Sequence, residues 1–188
     1  MPVREDGDTT LDLGCGIGRL LKAFPNVNVR YTGIDNNEFL LTAARKEFPG
    51  KEFQQMSMEA LALGDQQYDY IFCIAAFHHL VCRTDRLVLL QKCHAALQPD
   101  GTLFMTVWDL WQPKYVRHVF SHLTLKVAWN DFFIPWKATD KIVWRYYHGF
   151  TKGELRRLLR AAGFTHVEVM RAKGEKGWGF NYVVRASR

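Results

Sequence analysis

The sequence predicts an α/β fold built on a doubly wound, mostly parallel sheet, and three observations predict it. Apolar runs of strand length alternate with amphipathic stretches of helical period from Thr10 to Trp108. The first run leads into a glycine-rich turn, Gly14-Cys15-Gly16-Ile17-Gly18, and the second ends on an acidic residue, Asp35. In such sheets ligands bind where strand C-termini open beside turns of this kind.

Thr10, Leu11 and Leu13 flank Asp12 in the first strand, and Arg19 to Phe24 takes up helical spacing after the turn. The glycines stand at i, i+2 and i+4, whereas a dinucleotide fingerprint needs i, i+2 and i+5. The tighter turn suits S-adenosylmethionine better than a pyrophosphate, a ligand-free connection being the alternative. The second strand, Val29 to Ile34, ends in Asp35-Asn36, twenty-one positions after Gly14. A carboxylate there accepts hydrogen bonds from both hydroxyls of an adenosine ribose. A helix follows from Asn37 to Phe48, capped by Asn36 or Asn37 and stopped by Pro49-Gly50. Phe39, Leu40, Ala43, Ala44 and Phe48 recur in it at helical spacing. Glu52 to Met56 is a third strand, and Ser57 and Met58 in the loop after it are candidates to meet an adenine.

Asp69 to Ala76 is a strand of central, doubly buried character. Phe77-His78-His79-Leu80 follows it, on the same rim as Gly14 and Asp35; at least one histidine is read as functional, against a cap and a packed ring as the alternative. Cys15 in the turn and Ile74 near the end of this strand belong to the expected cofactor set. Asp85 to Leu97 is a second helix, expected to face Leu87, Val88, Leu90, Cys93, His94 and Leu97 to the core. Pro99-Asp100-Gly101 turns the chain into a fifth strand, Thr102 to Trp108. Thr151 to Ala162, stopped by Gly163, is the last helix. Val167–Met170 and Tyr182–Arg185, around Gly174, Gly177 and Gly179, read as an antiparallel pair added to the sheet edge.

Trp111 to Tyr147 is the least regular and most aromatic segment, with Trp111, Tyr115, Phe120, Trp129, Phe132, Phe133, Trp136 and Trp144. Lying after the fifth strand, it is read as a lid whose rings stack on a flat base while Lys114, Lys126, Lys137 and Lys141 meet phosphates; simple packing is the alternative. Charge divides the same way. Residues 1–110 hold 10 Lys and Arg against 14 Asp and Glu, net −4, and residues 111–188 hold 15 against 5, net +10. The basic half is the expected contact for a polyanion, or else a solvated face.

At 188 residues and 48% hydrophobic, the chain reads as one domain with a sizeable core. It has no apolar stretch of membrane-spanning length and no signal-peptide h-region, so a cytoplasmic protein that does not engage the membrane is expected. Cys15, Cys73, Cys82 and Cys93 form no C-x-x-C pair and predict reduced thiols without metal.

The order LDLGCGIGRL, GIDNN, YDYIFCIAAFHHL and LQPDGTLFMTVW resembles the Rossmann-like S-adenosylmethionine-dependent methyltransferases over about residues 8 to 110. Pro135-Trp136, Arg145 to Leu155 (RYYHGFTKGEL), the His pair and the VW before the insert are similar to the tRNA wobble-uridine carboxymethyl methyltransferases. That family esterifies the carboxylate of 5-carboxymethyluridine in a tRNA anticodon. The resemblance implies Asp12, Gly14, Gly16, Gly18, Arg19 and Asp35 as the cofactor site, with His79, Trp108, Arg145, Tyr146, Tyr147 and His148 at the acceptor. It also implies tRNA as a partner and, as in eukaryotic members, a small zinc-binding activator subunit. Two features depart from it: an Asp is usual where Ser57 stands, and helices usually precede the first strand.

The chemistry suits that acceptor. A carboxylate with an intrinsic pKa of about 4 is ionised at neutral pH and needs no general base. Alignment remains, for which Arg145 offers a fork and Tyr146, Tyr147 or His148 shape a pocket. An amine or phenol acceptor needs a base, for which His79 or His148 stands ready. The alternatives are a small-molecule methyltransferase and a non-catalytic partner subunit that keeps the fold.

Overall fold

The computed structural model describes residues 7–24, 28–120, 128–137, 141–173 and 179–188. Lys126, Gly174 and Gly177, singled out above, lie outside them. A seven-stranded sheet is built from β1 (Thr9–Leu13), β2 (Arg30–Asp35), β3 (Glu52–Gln55), β4 (Tyr68–Ile74), β5 (Leu97–Trp108), β8 (His166–Lys173) and β9 (Phe180–Ser187). Its order is β3-β2-β1-β4-β5-β9-β8. The first five strands run parallel, and β9 pairs antiparallel with both β5 and β8. The order reverses at β1, so the turn after β1 opens where the connections leave for opposite sides. The remaining strands, β6 (Asp131–Lys137) and β7 (Ile142–His148), form a separate antiparallel hairpin.

The helices are α1 (Glu38–Glu47), α2 (Arg83–Ala96), the single turn α3 (Pro113–Val116) and α4 (Lys152–Ala161). Leu11, Leu13, Ile71, Cys73, Leu103 and Met105 meet Leu89, Leu90 and Cys93 of α2 and Leu155, Leu158 and Leu159 of α4 in the main core. A smaller core joins Tyr31 and Phe53 to Leu41 and Ala44 of α1. Among the described residues no helix is long and apolar enough to cross a membrane.

Several local expectations are corrected. Arg19–Ala23 is a five-residue 3-10 helix, entered from a left-handed Gly18; it is too short to repay the nucleation of an α-helix. Helix α1 buries Leu41 and Ala44 and leaves Ala43 exposed and Phe39 83% exposed, because the stripe facing the sheet lies one residue out of the expected phase. Helix α2 exposes Val88 and buries Arg86 and Leu89. Strand β5 starts at Leu97 opposite Tyr68, and the expected Pro99–Gly101 turn is a bulge inside it before Thr102 pairs with Tyr70. The insert after β5 contains a regular hairpin, with Arg145 to His148 on β7.

Candidate active site

The rim above β1, β2 and β4 is shaped mainly by backbone. Gly14, Gly16 and Gly18 all have positive φ, at 73°, 56° and 75°. At Gly14 a Cβ would stand 2.4 Å from Cβ of Ala76, so the turn presses directly on the chain leaving β4. The amides of Gly14 and Cys15 bond the Ile34 carbonyl, at 2.8 and 3.0 Å, tying the turn to the end of β2. Asp35 then collects amides from both sides: Gly16 N–H donates to Oδ2 at 2.8 Å and Asn37 N–H to Oδ1 at 2.9 Å. Each oxygen keeps a lone pair for a further donor. Asn37, not Asn36, caps α1, its Oδ1 accepting from the amides of Phe39 and Leu40. Asn36 is exposed, its carbonyl accepting from Gln55.

Behind the turn, Asp12 is 3% exposed and accepts from the Tyr31 hydroxyl at 2.8 Å. Burial pushes its carboxyl up to about 7, with Asp35 adding to the rise while the Tyr31 hydrogen bond and Arg19 oppose it. Cys15 is buried and its thiol is held far above the ordinary range, so it packs rather than reacts. Arg19 is exposed at the start of the 3-10 helix. In the next loop Ser57 Oγ accepts from Ala60 N–H at 3.3 Å, and Met58 packs its side chain on the main core. Ile74 is half-buried at the end of β4. Next to it Ala75 takes φ 56°, a left-handed conformation for a residue with a Cβ, held by N–H bonds to the Thr106 carbonyl and hydroxyl, both 3.0 Å.

The hairpin side of the rim is built from side chains. After Ala75-Ala76 the chain makes a 3-10 turn, Phe77–His79, against which the base of the hairpin packs. Tyr147 lies nearly parallel to Trp108 at 5.1 Å between centroids and touches His78 and His79 at 5.3 and 4.7 Å. Tyr115 extends the stack from Trp108 at 6.2 Å. Arg145 lies 4.5 Å over the Trp136 ring. Its charge favours ionised Tyr147 against the larger effect of burial, which raises the Tyr147 hydroxyl. Partial burial lowers the His79 imidazole pKa, with the Tyr146 carbonyl 3.2 Å from its Nδ1 opposing and the Arg145 charge reinforcing the shift. Thus His79, Trp108, Arg145 and Tyr147 come together, beside the end of β4 that Gly14 also touches.

Tyr146 and His148 do not join them. Side chains alternate along a strand, so on β7 these two point to the other face. The Tyr146 hydroxyl donates to Asp131 Oδ1 at 2.8 Å and accepts from Arg86 Nη2 at 3.0 Å. His148 lies between two carboxylates, Nδ1 3.1 Å from Asp131 Oδ1 and Nε2 2.8 Å from Glu154 Oε1. Asn130, Asp131, His148 and Arg86 are all buried. This network, with Tyr146 and His148 inside it, fastens the hairpin to the start of α2 and to α4.

Sequence reasoning weighed His78 with His79 and passed over Ala75, Arg86 and Asp131. His78 is fully buried, its Nδ1 accepts the Trp108 amide at 3.2 Å and its Nε2 has no hydrogen-bond partner among the described residues. Ala75 carries the strained turn, while Arg86 and Asp131 anchor the hairpin. A polar residue at a core-facing helical position was the one available signal for Arg86; nothing local marks Ala75. A cavity of about 490 Å³ lies at the opposite rim beneath Thr9, Arg30 and Tyr68, away from the glycine turn and the hairpin. No three His, Cys, Asp or Glu are grouped to hold a metal among the described residues.

A parallel sheet in this order, with a glycine turn after its first strand and an acid after its second, defines the S-adenosylmethionine-dependent methyltransferase fold. One such structure, from Methanosarcina mazei, superposes with a TM-score of 0.82 over 98% of this chain and 93% of that one, at 20% identity. The chain belongs to the methyltransferase-domain family, whose model matches residues 11–105. A ubiquinone biosynthesis O-methyltransferase of Actinobacillus pleuropneumoniae is 32% identical over 53% of this chain and 45% of its own length. The tRNA (carboxymethyluridine(34)-5-O)-methyltransferase of Schizosaccharomyces pombe is 28% identical over 86% of this chain and 75% of its own. The chain thus spans about half the length of the first curated relatives it matches.

Proposed function

We propose that the chain binds S-adenosylmethionine at the glycine rim and methylates the carboxylate of 5-carboxymethyluridine in tRNA, giving a methyl ester. The residues present fit the cofactor. Gly16 leaves open space where a Cβ would stand, with only Leu40 at 3.9 Å, and Asp35 offers two preset oxygens to ribose hydroxyls. S-adenosylmethionine, when bound, supplies an activated methyl group, so a carboxylate oxygen accepts it with no proton to remove. Arg145 orients the carboxylate through one oxygen, because a firmer grip on both blunts the nucleophile. Tyr147 and Trp108 wall the pyrimidine, and neutral His79 completes the edge.

The observation that carries this reading is the Arg145 cation beside Tyr147, whose ring meets His79 and Trp108 at the rim. The likeness to the fission-yeast enzyme supports it, because that match extends through the hairpin. The ubiquinone-type match covers about half of the chain. An activator subunit belongs to the proposal as a supplement to be tested in the same assay. Arg145→Ala is expected to lower transfer to carboxymethyluridine-bearing tRNA at least about 100-fold. Asp35→Ala instead abolishes cofactor binding in calorimetric titration. Unchanged turnover in Arg145→Ala removes the carboxylate reading; turnover of a phenol in its place makes the chain a small-molecule methyltransferase.

A further inference from the structure

The hairpin carries more exposed ring surface than its packing uses. Alternation puts Phe132, Ile134 and Trp136 of β6 on one face with Val143, Arg145 and Tyr147 of β7. At the base of that face Phe132 and Tyr147 are buried, Tyr147 stacking on Trp108 at 5.1 Å and Trp108 on Tyr115 at 6.2 Å; toward the tip Trp136 and Arg145 are exposed, 4.5 Å apart. The two ring pairs at the rim end are nearly parallel, 14° and 17° apart, and Trp136 at the far end is 45% exposed. Trp144, on the opposite face, is 44% exposed. From residue 111 to residue 149 the cations are Lys114, Arg117, Lys126, Lys137, Lys141 and Arg145; the acids are Asp131, which is buried, and Asp140.

An exposed indole under an exposed guanidinium, on a segment rich in cations, fits unpaired nucleotides. Stacking rewards any base and asks for no hydrogen-bond pattern, while the cations meet the backbone. An apolar protein surface needs the rings but not that excess of positive charge. We infer that the Trp136–Arg145 face of the hairpin is a stacking track for the unpaired nucleotides next to the one that enters the rim. This deepens the proposed function and rests on its reading that the acceptor lies in RNA. The substrate is thereby chosen partly by being single-stranded: a paired base has no free face to offer.

The test uses the whole chain, an RNA hairpin with an unpaired loop, and a fully paired RNA of equal length, with affinity read by fluorescence anisotropy. The loop is expected to bind at least tenfold tighter than the duplex, and Trp136→Ala to weaken it by about tenfold. Trp136→Tyr, which keeps a ring, should restore most of the affinity. Trp144→Ala, at the same tip but on the other face, should change it less than about twofold, within the range of a surface substitution. S-adenosylmethionine binding, measured on each variant, reports folding. Equal losses in the two alanine variants, no loss in either, or equal binding of loop and duplex overturn the track; no loss in either leaves the apolar tip to a protein partner. The two proposals fail separately. A chain that binds the loop through Trp136 but esterifies no carboxymethyluridine loses its acceptor and keeps its track. A chain that transfers methyl groups without preferring the loop loses the track alone.

Discussion

Backbone makes the glycine side of the rim, and side chains make the hairpin side. On the first, left-handed glycines and amide hydrogen bonds fix Asp35 through groups every residue possesses. On the second, Arg145 and Tyr147 owe their position to Arg86, Asp131, His148 and Glu154 behind the hairpin. A backbone site tolerates change in most side chains but no added bulk at its turn. A side-chain site tolerates bulk at its margin but no broken pair beneath it.

The largest expected effect is therefore at Gly14. Alanine there must occupy a left-handed conformation, at roughly 1–2 kcal/mol, and overlap the fixed Cβ of Ala76, at roughly 1–3 kcal/mol more. Gly14→Ala should lower stability by about 4 kcal/mol in denaturant titration and abolish S-adenosylmethionine binding. A variant that folds and binds normally would show that the turn is not backbone-limited. Next comes Asp131→Asn. It leaves His148, Tyr146 and the Ala128 amide facing a neutral group that also donates, in a fully buried position. The expected cost is about 3 kcal/mol. Turnover should fall with it while S-adenosylmethionine affinity in the folded variant stays within a factor of two or so, since the network touches only the hairpin side. Loss of cofactor binding in folded Asp131→Asn would erase the distinction between the two sides.

The same division explains what was legible in the sequence. The strand–helix alternation, the glycine turn and Asp35 were readable because local spacing sets them: the amides that hold Asp35 come from the turn at Gly16 and from Asn37, both marked by residue type. The hairpin side depends on pairs far apart in the chain, such as Arg86 with Tyr146, which no local pattern announces. RYYH looked like one cluster of candidates, yet strand alternation sends Arg145 and Tyr147 to the rim and Tyr146 and His148 behind it. Read as an irregular stretch, the segment gave no period from which to tell the faces apart. The phases of α1 and α2 were missed for a related reason: Phe39 and Val88 are apolar but exposed, and tertiary packing chose the neighbouring stripe.

The smallest effect sharpens the comparison from within the glycine side, at its one buried side-chain pair. Asp12 has a carboxyl raised by burial to about 7 from an ordinary 3.8, so the folded chain holds this proton more tightly than the unfolded chain. Its contribution to stability is then fully present below about pH 4 and is lost as pH rises toward 7. Asp12→Asn keeps the shape and cannot ionise. Its stability relative to the natural chain should improve steadily between about pH 4 and 7 and level off above, by on the order of 2 kcal/mol after relaxation is allowed for. Tyr31→Phe should move the natural transition to higher pH, since the Tyr31 hydrogen bond is the largest influence opposing the rise. Thermal melts of the three proteins across that range decide it. Parallel melting curves for Asp12→Asn and the natural chain would mean that Asp12 is as well solvated as an ordinary surface acid. Divergence over the stated window would mean that even the backbone-built side of the rim carries one buried charge whose cost the fold sustains next to the glycine turn.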